Sequence, residues 1–189
     1  MVPMKFFIDK HMLKTEHYKH SIPYFSLDRV AVGAQYDREM QRKIHRFKFV
    51  HNYVDRVYFR EVFSHLQEEY PYTPDVVVYP PISLRDRILR GSNHAKKLAD
   101  DIGIPVPVLC PFYKKMFSSH QSRRTKKERN LIGEEYFFDK KFTNQIKDKK
   151  ILLIDDLITT GYTAHFLGKL LKKAGAREVV GYFLASEKT

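Results

Sequence analysis

One stretch of this chain, residues 149–176 (KKILLIDDLITTGYTAHFLGKLLKKAGA), constrains the fold more than any other. A continuous apolar run, Ile151 to Ile154, leads into Asp155 and Asp156, then a hydroxyl-rich turn around Gly161, then helical spacing that ends at Ala174-Gly175. Such a run suits a strand buried on both faces, the mark of a parallel sheet covered by helices. In parallel α/β sheets the ligand lies beyond the carboxyl ends of the strands, so 155–163 is the predicted binding segment. The start of the following helix aims its free N–H groups and positive dipole end at that spot.

The residue types divide the work. Thr159, Thr160, Gly161, Tyr162 and Thr163 offer main-chain N–H and hydroxyl donors for a phosphate, and glycine permits close approach. Asp155 and Asp156 repel a phosphate but accept hydrogen bonds from two neighbouring hydroxyls, which describes the diol of a ribose 5-phosphate. Paired aspartates after a strand also occur in receiver domains and metal-dependent phosphatases, but those lack the Thr-Thr-Gly-x-Thr that follows here.

Upstream, strand and helix patterns alternate. Residues 28–34 read as a strand and 38–49 as a helix with apolar positions 40, 44 and 47. A second helix over 54–70 carries Val54, Val57, Tyr58, Val62 and Leu66 as its apolar face and stops at Pro71 and Pro74. Strands follow at 75–79, 105–109, 151–155 and 178–184, with helices at 92–102 and 164–173. Strands separated by helices imply βαβ units, an α/β fold with a mostly parallel β-sheet flanked by helices. Residues 1–25 stand outside the scheme as a basic leader, leaving 26–189 as the domain. His11, His17 and His20 in that leader read as solvated histidines rather than metal ligands.

Charge narrows the partners. Lys and Arg number 34 against 22 Asp and Glu, a net +12 that points to a polyanion. The first sixty residues hold 12 basic and 6 acidic side chains, and 114–129 hold seven and one. The latter run reads as an exposed loop, and a loop this long inside a compact domain is usually functional or disordered. A lone Cys110 excludes a disulfide framework or a cysteine zinc ribbon and fits a reducing compartment. No signal-peptide pattern and no ~18-residue apolar run is visible, so the expected address is the cytoplasm, with no membrane partner.

ILLIDDLITTGYT resembles the phosphoribosyl pyrophosphate (PRPP) motif of type I phosphoribosyltransferases. With YDREMQRKIHRFKF (36–49), DVVVYPPISLRDRILRGSNHAKKLADDIGIPV (75–106) and a Gln-containing basic loop ending ERN, the resemblance runs to the ComF branch over residues 26–185. It implies a type I phosphoribosyltransferase fold and Mg²⁺ carried by PRPP rather than by a protein cage. Asp155 and Asp156 are then the catalytic pair and 159–163 the phosphate loop. Pro81, Ile82, Arg87 and Arg90, with Arg85 nearby, take the diphosphate position. Gln121, Arg124, Arg129 and Asn130 match the flexible loop that covers it. Asn93 fits the family pattern, whereas Ser92 and His94 stand where an aromatic and a Gln are usual. Many ComF proteins begin with a zinc ribbon that this chain lacks.

The resemblance implies one of two functions. One is phosphoribosyl transfer from PRPP with diphosphate release. The other is a non-catalytic competence factor that engages single-stranded DNA or a DNA-uptake helicase, with Phe112, Tyr113 and Phe117 beside the basic loop as stacking groups. PRPP or ribose 5-phosphate is the expected small-molecule partner, and a homodimer is compatible with either function. No acceptor site is legible.

Overall fold

The computed structural model describes residues 25–50, 52–83, 87–89, 91–114 and 136–187. Five parallel strands form one sheet in the order β1-β7-β6-β2-β3. They are β1 (Arg29–Gln35), β2 (Val76–Val78), β3 (Val108–Leu109), β6 (Lys150–Ile158) and β7 (Glu178–Ser186). A separate antiparallel ribbon joins β4 (Phe112–Lys114) to β5 (Tyr136–Phe138). The long central strands β6 and β7 pair from Lys150↔Glu178 to Ile158↔Ser186.

Helices cover both faces, as the apolar strands require. On one face lie α1 (Arg38–Phe49), α2 (Tyr53–Glu69) and α3 (His94–Asp101), packing Ile44, Phe47, Phe59, Phe63 and Leu98 against Leu152, Ile154 and Tyr182. On the other, α5 (Tyr162–Lys173) sets Leu167 and Leu171 against Ile151, Leu153 and Phe183. There Ile146, from the single turn α4 (Thr143–Ile146), and Phe112 and Tyr136 from the ribbon complete the core. Phe25 and Leu27 join this second core as the chain enters β1. Asp28 then fastens the start of β1, its carboxylate accepting from Val179 N at 2.7 Å and pairing with Lys172 Nζ at 2.6 Å.

Each helix on the first face begins where a side chain takes up its leading N–H groups. Asp37 accepts from Met40 N at 2.8 Å, Asn52 from Val54 N at 2.9 Å, and Asn93 from Lys96 N at 3.3 Å. The start of α5 differs: Gly161 stands there at φ 84° with no side-chain cap. A left-handed φ at that position favours glycine over any residue with a Cβ.

The buried face of α2 keeps Val62 and Leu66 of the expected one and is rotated at its start, where Val57 and Tyr58 are half-buried. Asp55, Phe59, Val62, Phe63 and Leu66 are inside, whereas Val54 is exposed. Asp55 is tolerated in the core because Arg46 of α1 grips it with two bonds, at 2.9 and 2.7 Å. The expected strand over 105–109 shortens to Val108–Leu109, because Pro105 and Pro107 have no N–H for a ladder. The expected strand over 151–155 instead continues to Ile158, so the acid pair lies on the strand rather than past it. None of the described helices is long and apolar enough to cross a membrane. The basic leader, Phe25 apart, lies outside the described residues.

Candidate active site

The carboxyl edge of the sheet gathers the ends of β2, β6 and β7 with the segments that follow them. Successive side chains of a strand leave opposite faces. On β6, Asp156 therefore turns toward α1 and α3, where Leu152 and Ile154 also pack, while Asp155 turns the other way.

Asp156 is 4% exposed and closed in by two basic groups. Lys48, in the last full turn of α1, forms an ion pair with its Oδ2, and His94 Nε2 at the start of α3 lies 3.6 Å from the same oxygen. Burial alone would raise the Asp156 pKa, but the contact with His94 and the charge of Lys48 outweigh it and hold the group below the ordinary carboxylate range. Asp155 moves the other way. Desolvation first, then the Asp156 charge, pushes its pKa well above the ordinary value, while the Asp156 N–H donates to Oδ1 at 2.9 Å in partial compensation. The pair thus holds one firm anion and one carboxyl that keeps its proton more readily.

This asymmetry has a measurable sign. Between the unfolded value of about 3.9 and its raised folded value, Asp155 binds a proton that the unfolded chain has released. Its contribution to stability is therefore present at low pH and is lost as pH rises through the folded value. Asp155→Asn removes that loss. The variant should melt above the wild type at pH 7, with the gap closing as pH falls toward about 4, in thermal scans across that range. A variant less stable than wild type at pH 7 would contradict the raised Asp155 pKa.

Past Ile158 the chain turns through Thr159, Thr160 and buried Gly161 into α5. Thr160 Oγ1 lies 3.5 Å from Tyr162 N, too long to count as a firm cap. The first turn of α5 thus keeps N–H groups and a positive dipole end for an anion beside Asp155.

The loop after β2 runs alongside, because β2 is the sheet neighbour of β6 (Val78↔Leu153). Pro81, Ile82 and Ser83 are partly buried, and Arg87 is exposed, its N–H donating to the Ser83 carbonyl at 2.9 Å. Asn93 joins this loop to α3: its Nδ2 donates to Pro80 O at 3.0 Å while its Oδ1 caps the helix. That brace sets His94 against Asp156. Arg85 and Arg90, and the loop positions Gln121, Arg124, Arg129 and Asn130, lie outside the described residues, as does Phe117. At the base of that loop, half-exposed Tyr113 stacks on Phe137 with centroids 5.5 Å apart.

Ligand atoms of His94, Asp155 and Asp156 lie within 4.8 Å of one another. The Lys48 ammonium already neutralises one of these carboxylates, which leaves Asp155 as the oxygen donor open to a hard cation. Asp155, Asp156 and the hydroxyl turn lie in sequence at the end of β6, whereas nothing in the sequence singles out Lys48, and His94 stands out there only as a departure from the family pattern. The signal for both is tertiary: a carboxylate driven into the core by its strand has to find polar partners on whichever helices cover that face.

A phosphoribosyl transferase domain model matches residues 59–188, most of the chain. The chain belongs to the phosphoribosyltransferase family. Its fold, a parallel sheet flanked by helices, is the family's fold.

Among phosphoribosyltransferase-family proteins, this one is similar to the competence protein ComFC of Bacillus subtilis, at 33% identity over 151 residues, 78% of this chain and 60% of that protein. ComFC of Streptococcus pneumoniae is 32% identical over 149 residues, 79% of this chain and 64% of its own length. Competence protein F of Haemophilus influenzae is 25% identical over 168 residues, covering 85% and 73%. The chain thus spans somewhat under two thirds of the two ComFC proteins.

Proposed function

We propose that the carboxyl edge of the sheet binds PRPP and that the protein transfers its phosphoribosyl group to an acceptor, releasing diphosphate. The observation that carries this reading is the succession at the end of β6: a carboxyl pair in which Lys48 and His94 engage Asp156, then an uncapped helix start entered through left-handed Gly161. The first suits a ribose diol and the second its 5-phosphate.

The roles of the described residues follow from position, and those of Arg90, Gln121, Arg124, Arg129 and Asn130 from the family resemblance. Asp155 accepts the diol hydroxyls, and Asp156, held rigid by Lys48 and His94, fixes the strand end that presents it. Thr159 to Thr163 receive the 5-phosphate on main-chain N–H groups and hydroxyls. Pro81, Ile82, Arg87 and Arg90 take the diphosphate, and the basic loop with Gln121, Arg124, Arg129 and Asn130 covers it, excluding water from the developing charge. In the transfer, the acceptor's lone pair forms a bond to C1 of the ribose as the bond from C1 to the diphosphate oxygen breaks, and that electron pair leaves on the diphosphate. Asp155, with oxygens from PRPP and water, fits a magnesium ion arriving on the substrate, which would neutralise part of the diphosphate charge. The remaining contribution of the chain is positioning.

Asp155→Asn and Thr160→Val should each weaken PRPP binding by about tenfold, the ~1.4 kcal/mol worth of one charge-assisted contact. Isothermal titration with PRPP and Mg²⁺ measures this. Unchanged affinity in both variants sinks the assignment. Because Asp155→Asn should stabilise the fold at pH 7 while weakening the ligand, unfolding cannot be mistaken for loss of the site.

A second reading, a competence factor acting on single-stranded DNA or with a DNA-uptake helicase, is favoured by the similarity to ComFC and by the exposed Tyr113 ring stacked on Phe137 beside the basic segment. A stacking surface flanked by cations suits bases and backbone together.

A further inference from the structure

Helix α1 does more than cover the core. Its start lies at the carboxyl edge beside the end of β7, where Tyr36 N donates to Ser186 O at 2.8 Å. Its last turn reaches Asp156 at the carboxyl end of β6, the next strand over. The outer side of the helix, away from Met40 and Phe47 and reaching in as far as buried Ile44, lines a groove of about 670 Å³ that adjoins the acid pair through Lys48. That volume falls within the range of small-ligand sites, roughly 300–1,000 Å³.

Among the described residues, the lining sets four cationic side chains and two aromatic rings beside Gln41, Ile44 and His45. Of its charged side chains, Arg46 is committed to Asp55 and Lys48 to Asp156. Arg38 and Arg42 are exposed, and among the described residues no carboxylate pairs with either. They stand four apart on one face of the helix, about 6 Å from each other, a spacing that lets two guanidinium groups address one ligand. Tyr36 lies at one end of the groove and Phe49 at the other, the latter 46% exposed with its ring 4.7 Å from that of His45. Guanidinium forks match phosphate oxygens, and aromatic rings at the flanks offer faces on which a base stacks. An uncharged free base would satisfy the rings and leave both arginines without a counter-charge.

We propose that this groove is a second ligand subsite, adjoining the PRPP position, and that its ligand is a nucleotide: a base with at least one phosphate. The proposal rests on the PRPP reading only for the identity of its neighbour. A free nucleotide and a nucleotide within a single strand share this chemistry, and the test separates them.

The variant is Arg38→Gln with Arg42→Gln, two exposed positions whose replacement leaves the core untouched. The full chain, wild type and variant, is titrated calorimetrically with AMP and, by fluorescence polarisation, with a labelled twenty-residue oligo-dT across a salt series. The wild type should bind, and the double variant should bind at least tenfold more weakly, with thermal melt and PRPP affinity unchanged. If the oligonucleotide seats in the groove, its log K against log salt should also flatten by about 1.4, two phosphate contacts at ~0.7 each. A tenfold loss confined to AMP identifies the free nucleotide as the ligand. The proposal is overturned if the wild type binds neither probe, or if the double variant binds both as tightly as wild type. A wild type that binds nucleotide through these arginines but not PRPP overturns the PRPP assignment and leaves the groove standing.

Discussion

Replacing Lys48 with methionine should lower the stability of the protein by about 3–5 kcal/mol at pH 7, the usual cost of stripping one partner from a buried ion pair. The lysine side chain is 19% exposed and that of Asp156 only 6%, so solvent replaces little of what is lost. The deficit belongs to the carboxylate form of Asp156. With its ammonium partner gone, the depressed pKa of Asp156 rises, and stability that was present above the unfolded carboxylate value disappears. Urea titrations at pH 7 and near pH 3 therefore give different answers: a large deficit at the first and a small one at the second, where the carboxyl is protonated in the unfolded chain and largely so in the variant. An equal deficit at both would mean that Lys48 acts through packing of its methylenes. Adding Asp156→Asn to the Lys48→Met variant should recover part of the loss, because the uncompensated charge is then absent.

Truncating Phe59 to alanine should cost a comparable amount, about 3–5 kcal/mol, by leaving a cavity between α2 and the sheet. Phe59 is fully buried, and the ring of Phe47 meets it edge-on at 5.3 Å and 89°. Since Phe47 directly precedes Lys48, this cavity loosens the end of α1 that reaches the acid pair. Urea titration gives the stability loss. Hydrogen exchange should show α1 amides losing more protection than those of β6, which is held from both sides by β2 and β7. Equal losses across α1 and β6 would show that α1 has no looser attachment of its own.

The parts of this site that were legible in the sequence are those that are continuous along it. Asp155, Asp156, the threonines and Gly161 follow one another, so residue type and order alone divide diol from phosphate. The strand runs past its predicted end because periodicity depends on apolar residues, and β6 carries its pairing through two aspartates that the ladder with β7 accommodates. The burial of Asp55 was invisible for a similar reason: an apolar stripe drawn through Val54 ignores a carboxylate whose partner, Arg46, arrives from another helix. The ribbon of β4 and β5 escaped notice because each strand is three residues long and a basic segment of some twenty residues separates them. Lys48 and His94 belong to the same class of omission. Nothing near Lys48 in the chain announces a carboxylate, and the charge-rich helix around it reads as a solvated surface until the fold lays it over β6.

The strand order also sets a schedule for biosynthesis. Among the described residues, strand β1 pairs only with β7, and β7 and β6 together fill the gap between β1 and the β2–β3 pair. A ribosome thus makes both flanks of the sheet before it makes the middle. Until β7 emerges, β1 has no sheet partner and the apolar sides of α1 and α2 have only half a surface to cover, which exposes the nascent chain to the misassociation that unpaired edges invite. The described sheet closes when β7 is made, and the acid pair, Lys48 and the groove on α1 come together in that same event.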